Sequence, residues 1–187
     1  SVDGIAGLEV NVSCPNVESE GMAFGVDPKV VEQVTKAVRK VTDKPVIVKL
    51  SPNVTDIVEI AKAVEAGGGN GISLINTLLG MAIDIHRRKP LLGNTYGGLS
   101  GPAVKPVALR MVHQVYKGVT IPIIGLGGIM SGTDAIEFMM AGAQAVQVGT
   151  ATMVDPTAIS RIAREMGEYV ETHNLNSIID IVGAVHQ

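Results

Sequence analysis

Residues 121–151 read IPIIGLGGIMSGTDAIEFMMAGAQAVQVGTA, and the predicted fold follows from this stretch. β-Branched runs at 121–125 and 145–148 predict two strands, and the amphipathic segment 132–141 between them predicts a helix. Both predicted strands lead into glycine-bearing turns. Because strands joined by a crossover helix run parallel in one sheet, the stretch predicts an α/β protein.

The same alternation continues on both sides of this unit. Further strands are predicted at 7–13, 45–50 and 71–75, and further helices at 27–42, 54–66, 104–116, 156–172 and, briefly, 178–182. Asp27 is the predicted N-cap of the first of these helices, with Pro28 at its first position. Only the connection 76–99 is long and lacks clear periodicity, which is typical of a functional loop. The chain therefore reads as five βα units in a row.

Both open sheets and closed barrels gather ligands at the carboxyl ends of their strands. No G-x-G-x-x-G follows the first strand, which argues against a dinucleotide-binding sheet. A (β/α)8 barrel takes eight units and about 250 residues. We therefore expect one domain over residues 1–187, of the (β/α)8 TIM-barrel type, that covers about the last five βα units.

The composition excludes several classes of protein. With 15 Lys and Arg against 18 Asp and Glu, the chain has no basic excess to hold a nucleic acid. No apolar run approaches the roughly 20 residues of a membrane span, and the first residues do not resemble a signal peptide. The only cysteine is Cys14, which fits a reducing cytoplasm. We expect a cytoplasmic protein with no nucleic-acid or membrane partner and no metal site, because the histidines lack ligand spacing.

The glycines after the last two strands predict a phosphate site. Gly127 and Gly128 follow the strand at 121–125, and Gly149 and Thr150 follow the strand at 145–148. Glycine lets backbone N–H groups approach an anion, and the helix N-terminus behind adds a partial positive charge. One such turn could equally be a tight connection, but two in succession favour phosphate.

Two reactive side chains also lie at predicted strand ends. Lys49 ends the apolar strand VIVKL and could serve as a fixed positive charge, or simply extend into solvent. Cys14 could act as a general base, or could be a small buried apolar residue. Its neighbours Ser13, Pro15 and Asn16 are not apolar, which favours the chemical role.

Amide side chains end two of the strands. Asn11 lies near the end of the first strand, and Asn76 and Thr77 follow the third. Paired amides suit a flat heterocycle with alternating C=O and N–H groups, although Asn is also a common turn residue.

Six motifs taken together resemble the dihydroorotate dehydrogenase family, most closely its type B catalytic subunits. The motifs appear in the family's order, and they are NVSCPN (11–16), VIVKLSPN (46–53), LINT (74–77), GGLSGPA (97–103), IIGLGGI (123–129) and VGTA (148–151). The resemblance implies an FMN-dependent oxidation of dihydroorotate to orotate in pyrimidine biosynthesis. Cys14 matches the base that removes a proton, while a hydride leaves for the flavin.

The resemblance also implies roles for the other residues. Lys49 matches the lysine beside the flavin ring, Asn11 a residue that touches both flavin and substrate, and residues 14–24 a mobile loop over the substrate. The remaining flavin contacts are Ile75, Gly101, Gly127, Gly128, Gly149 and Thr150, and the remaining substrate contacts are Asn76 and Thr77. Type B subunits work as homodimers beside a second subunit, whose FAD and iron–sulfur cluster pass electrons to NAD.

The first three βα units of the family's barrel are missing from the resemblance. We therefore expect two open sheet edges, and either a fragment or a chain whose edges another copy covers. Two other functions stay open: a barrel that acts on a sugar phosphate with Lys49 as electrophile, and a catalytically silent fragment. A dihydropyrimidine or dihydrouridine oxidoreductase is a weaker form of the dehydrogenase hypothesis.

Overall fold

The computed structural model describes residues 3–13 and 24–186. Its strands are β1 (Leu8–Asn11), β2 (Val46–Leu50), β3 (Gly71–Leu74), β4 (Leu78–Gly80), β5 (Ile83–Asp84), β6 (Lys89–Pro90), β7 (Gly97–Leu99), β8 (Ile123–Leu126) and β9 (Ala145–Gln147). Its α-helices are α1 (Pro28–Arg39), α2 (Ile57–Ala66), α3 (Lys105–Tyr116), α4 (Gly132–Met140), α5 (Thr150–Val154) and α6 (Ala158–Thr172). Short 3-10 helices cover Pro102–Val104, Ile178–Ile181 and Ala184–His186.

The main sheet contains five parallel strands in the order β1-β2-β3-β8-β9. Consecutive strands of this sheet are joined through helices, as the alternating sequence pattern predicts. One face of the sheet packs against the helices in a large apolar cluster, in which Val48, Leu74 and Phe138 are fully buried. The α/β prediction is confirmed.

The other face of the sheet is concave, and side chains from its two outermost strands meet there. The amide Nε2 of Gln147 in β9 donates a hydrogen bond of 2.7 Å to Glu9 Oε2 in β1. In a flat sheet, strands about 4.8 Å apart would put β1 and β9 about 19 Å apart, too far for these side chains to meet. The sheet must therefore curl like part of a barrel wall, as the (β/α)8 prediction requires.

Side-chain caps set the beginnings of three helices. Asp27 accepts a hydrogen bond from Lys29 N ahead of Pro28, as predicted. Asp56 accepts from Val58 N, so α2 begins at Ile57, three residues later than the predicted 54. Ser131 forms a capping box at the start of α4. The late start of α2 is a correction, and its cause is the preference of Asp56 for the cap position.

The predicted connection 76–99 contains regular structure that its sequence does not reveal. Strand β4 pairs antiparallel with β7, and β5 pairs antiparallel with β6. These strands have only two or three residues each, too few for an apolar period to show. The short helix α5, at residues 150–154, was not predicted either.

No helix within the described ranges combines the length and the apolar character needed to cross a membrane.

Candidate active site

A cleft of about 240 Å³ lies at the carboxyl ends of β2, β3, β8 and β9. Within the described ranges, it is lined by every predicted site residue except Asn11, namely Lys49, Ile75, Asn76, Thr77, Gly101, Gly127, Gly128, Gly149 and Thr150. Cys14 and most of the predicted mobile loop fall at 14–23, outside the described residues. Because the carboxyl ends of parallel strands lie at one edge of the sheet, residues far apart in the sequence meet in one cleft.

The amide groups at one end of the cleft form a connected network. Asn76 Nδ2 donates to Ser13 Oγ at 2.6 Å and to Asn11 Oδ1 at 3.1 Å, and Ser13 Oγ donates to Asn11 Oδ1 at 2.7 Å. Asn76 Oδ1 accepts from Thr77 N at 2.7 Å. The hydrogen bonds with Asn11 and Ser13 therefore fix the orientation of Asn76, which lines the cleft.

Two residues of this network were not predicted as site residues. Ser13 is buried and bonds both asparagines, and its alternation with Asn11 along the strand was a usable signal. Asn53 ties the strand ends together, because its Nδ2 donates to Thr77 O at 3.1 Å and its Oδ1 accepts from Leu79 N at 2.9 Å. The only sequence signal for Asn53 was its place in the motif KLSPN.

Lys49 contributes a positive charge on the concave side of the sheet. Its side chain is only 23% exposed, and its Nζ lies 3.8 Å from Glu9 Oε1. Glu9 is held in turn by Gln147, which also lines the cleft. The reading of Lys49 as a lysine extended into solvent is therefore wrong. Glu9 and Gln147 were missed because only the curvature of the sheet brings β1 and β9 together.

The glycine turns provide the other end of the cleft. Three glycines of the cleft have positive φ values, which residues other than glycine rarely adopt: +92° at Gly101, +130° at Gly127 and +77° at Gly128. A Cβ at Gly128 would lie 2.8 Å from Gly101 O, so the backbones approach as closely as glycine permits. In the second turn, no atom lies within 4 Å of the position that a Cβ on Gly149 would take. The second turn therefore leaves open space where a ligand could contact the backbone, whereas the first turn is closely packed around its glycines.

The side chain of Asp134 already accepts hydrogen bonds from two backbone N–H groups that follow the first glycine turn. Asp134 Oδ2 accepts hydrogen bonds from Met130 N at 2.9 Å and from Ser131 N at 3.0 Å. The N–H groups of Gly128 and Ile129, by contrast, make no hydrogen bond to another described residue. An anion in the cleft would therefore have the donors nearest the strand end at its disposal, not those at the start of α4.

A partly buried ion-pair cluster holds Asp134 in place. Lys105 Nζ donates to Asp134 Oδ1 at 2.6 Å and lies 2.8 Å from Glu137 Oε2. Burial opposes ionisation of Asp134, but its hydrogen bonds with Lys105 and Met130 N outweigh this and lower its pKa. Hydrogen bonds to Asp134 and Glu137 raise the pKa of Lys105. Both groups are therefore charged at neutral pH.

A curled parallel sheet with its cleft at the strand ends defines an α/β-barrel protein. The chain belongs to the dihydroorotate dehydrogenase family, because the model of that family, described as "Dihydroorotate dehydrogenase", matches residues 4–170. The sequence resemblance to this family is confirmed.

Curated relatives carry the same family name. The catalytic subunit of dihydroorotate dehydrogenase B (NAD(+)) from Desulforamulus reducens is 64% identical over 184 residues, which are 98% of this chain and 60% of the relative. The subunit of the same name from Geobacter sp. (strain M21) is 60% identical over 182 residues, 97% of this chain and 60% of the relative. The chain thus spans about 60% of the length of these relatives.

A solved structure supports the fold alone. The crystal structure of DHODH from Eimeria tenella in complex with ferulenol superposes with a TM-score of 0.80 at 24% identity. The match covers 97% of this chain and 54% of that one. The fold of this chain therefore corresponds to about half of that longer chain.

Proposed function

We propose that this chain provides the C-terminal part of the active site of a dihydroorotate dehydrogenase, which oxidises dihydroorotate to orotate in pyrimidine biosynthesis with FMN as cofactor. The observation that carries the proposal is the cleft, where Lys49, Asn76 and the glycine turns meet in a chain of this family. Each of these groups has a chemical use in that reaction.

The glycine end of the cleft fits the phosphate of FMN. The φ values of Gly127 and Gly128 exclude most side chains. The N–H groups of Gly128 and Ile129, which donate to no described residue, suit a phosphate. The start of α4 behind them adds partial positive charge, partly offset by Asp134. When bound, FMN would supply the acceptor for the hydride that leaves the substrate.

Lys49 and the amide network fit the ring end of the ligands. Lys49 holds a positive charge in the cleft, which favours groups that carry or gain negative charge during a reaction. Asn76, oriented by Asn11 and Ser13, offers amide groups to a ring with alternating C=O and N–H groups. We propose that Asn76 and Thr77 orient dihydroorotate, whereas Ile75 and Gly101 contact the flavin.

Cys14 is the proposed base that removes a proton from the substrate ring. It follows Ser13, whose hydroxyl is fixed by Asn11 and Asn76 at the edge of the amide network. A thiol with a pKa near 8.5 can act as a base when its surroundings favour the thiolate.

The names of the relatives suggest the partner. They are catalytic subunits of an NAD(+) enzyme, which implies a second subunit in those proteins. We propose the same arrangement here: a homodimer in the cytoplasm, beside a subunit whose FAD and iron–sulfur cluster carry electrons to NAD.

The proposal is tested by an absorbance spectrum of the chain with FMN, followed by anaerobic dihydroorotate. We expect a bound-flavin spectrum, and bleaching would mean that this chain holds a working site by itself. Lys49→Ala should weaken FMN binding and any such reduction. Lys62→Ala, an exposed lysine on α2, is the matched control and should change neither. Lack of FMN binding in wild type would contradict the proposal for this chain and would favour the catalytically silent fragment.

The role of Cys14 needs a longer chain, extended by the segment of the relatives that this chain does not cover. There, Cys14→Ser should leave FMN bound but slow its reduction by dihydroorotate at neutral pH. An unchanged rate would remove Cys14 from the role of base.

A further inference from the structure

The helix α6 lies outside the cleft, yet two of its side chains contact the first glycine turn. Glu165 Oε2 accepts a hydrogen bond from Gly132 N, at the first residue of α4. Arg161 donates through one guanidinium nitrogen to Met130 O at 3.1 Å and through the other to Glu165 Oε1 at 3.1 Å. Arg161 and Glu165 therefore form a clasp on the backbone of residues 130–132, and we refer to them as the α6 clasp.

The α6 clasp also contacts the residue that follows α5, the short helix after the second glycine turn. Arg161 Nε lies 3.6 Å from Asp155 Oδ2. Asp155 directly follows α5, which begins at Thr150 beside Gly149, and its N–H donates to Ala151 O in the first turn of α5. One guanidinium thus connects the end of the first turn with the C-terminal end of α5, the short helix that follows the second turn.

The packing at this point leaves no room for adjustment. A Cβ on Gly132 would lie 2.4 Å from Glu165 Cβ and 3.1 Å from its backbone carbonyl carbon. Helix α6 therefore presses directly against the start of α4. The hydrogen bond from Gly132 N is the largest cause of a lowered pKa for Glu165, so the carboxylate is charged at neutral pH.

A second ion pair on α6, which does not contact the glycine turn, serves as a comparison for the α6 clasp. Arg164 and Glu168 have the same i,i+4 spacing and lie 3.5 Å apart, but their side chains are 69% and 64% exposed. Those of Arg161 and Glu165 are 34% and 30% exposed. Exposed pairs of this kind contribute little, whereas charged groups bonded to backbone hold it in a defined position.

We propose that Arg161 and Glu165 are positioning residues that fix the two glycine turns relative to each other and thereby set the affinity of the cleft for a phosphate-bearing flavin. The identity of the ligand rests on the proposed function. Backbone donors bind an anion well only when their geometry is set beforehand, because otherwise binding must order them. Neither residue touches the ligand in this scheme.

The test compares FMN with riboflavin, which has the same ring but no phosphate. In Glu165→Ala and Arg161→Gln, we expect the dissociation constant for FMN to rise about tenfold, as for the loss of a hydrogen bond to a charged group. The constant for riboflavin should change less than about twofold, because the ring lies at the other end of the cleft. Glu165→Gln keeps an acceptor for Gly132 N and should recover part of the FMN affinity. Glu168→Ala is the matched control and should resemble wild type.

A measurement without flavin separates this inference from the proposed function. The amide NMR signals of Gly127 and Gly128 should shift in Glu165→Ala and stay unchanged in Glu168→Ala. If wild type binds no FMN, the proposed function fails for this chain, and these signals decide the role of the clasp. If the signals stay in place, or if FMN and riboflavin weaken equally, the positioning role is refuted.

Discussion

The variant Gly128→Ala gives the sharpest test of the first glycine turn, because its Cβ would meet both an unfavourable backbone conformation and close backbone atoms. The residue has φ +77°, in the left-handed region. A Cβ there would lie 2.8 Å from Gly101 O, 2.8 Å from Lys105 N and 2.9 Å from Lys105 Cβ. Two of these three atoms belong to backbone, which cannot rotate away.

The expected loss of stability is the sum of the two effects. An L-residue in the left-handed conformation costs about 1–2 kcal/mol. Forcing an extra carbon into a packed site costs about 1–3 kcal/mol more. We therefore expect Gly128→Ala to lower the free energy of unfolding by about 2–5 kcal/mol.

Urea unfolding followed by circular dichroism measures this difference, and Gly167→Ala in α6 is the control. A Cβ on Gly167 would meet no atom within 4 Å, and the backbone there is ordinary helix, so alanine should stabilise by about 0.5–1 kcal/mol. The slopes of the two transitions should match wild type. A Gly128→Ala variant within about 0.5 kcal/mol of wild type would refute both the strain and the close approach.

Three further predictions follow from buried and charged groups. Phe138→Ala empties a fully buried site and should destabilise by about 3–5 kcal/mol in the same urea assay. The pKa of Asp134 is lowered in the folded state, so the stability that this carboxylate contributes is present above its unfolded pKa and is lost as pH falls through its folded pKa. Asp134→Asn should therefore flatten the loss of stability in acid. An equally steep loss in the variant would contradict this prediction. Burial and the nearby His186 lower the pKa of His113, so the unfolded state takes up a proton first and stability should fall as pH drops below about 6.5. His113→Phe should remove that portion of the pH dependence.

The sequence predicted the elements whose signals are local. Asp27 followed by Pro28 marked the start of α1 to the residue. The five parallel strands were predicted because each is a short β-branched run next to a helical period. The ribbons within residues 76–99 were not predicted, because two- and three-residue strands are set by their pairing rather than by any pattern of their own.

The candidate site was predictable to the extent that it depends on topology. Parallel strands share one carboxyl edge, so Lys49, Asn76 and Gly127 had to lie near one another. Glu9 was not predictable in the same way, because its contact with Gln147 depends on the curvature of the whole sheet. The contact of α6 with the glycine turn likewise depends on how two helices pack, which spacing alone does not encode.

The two ends of the cleft have different kinds of support, and this difference bears on what the chain can bind. The glycine end is held from behind by Asp134 and by the α6 clasp, all within the described residues. The ring end depends on Lys49, which within residues 3–13 and 24–186 pairs with Glu9, itself held by Gln147. Recognition of phosphate should therefore be better preserved in this chain than recognition of the ring. We therefore expect the chain to bind both flavins weakly, but to bind FMN much more tightly than riboflavin.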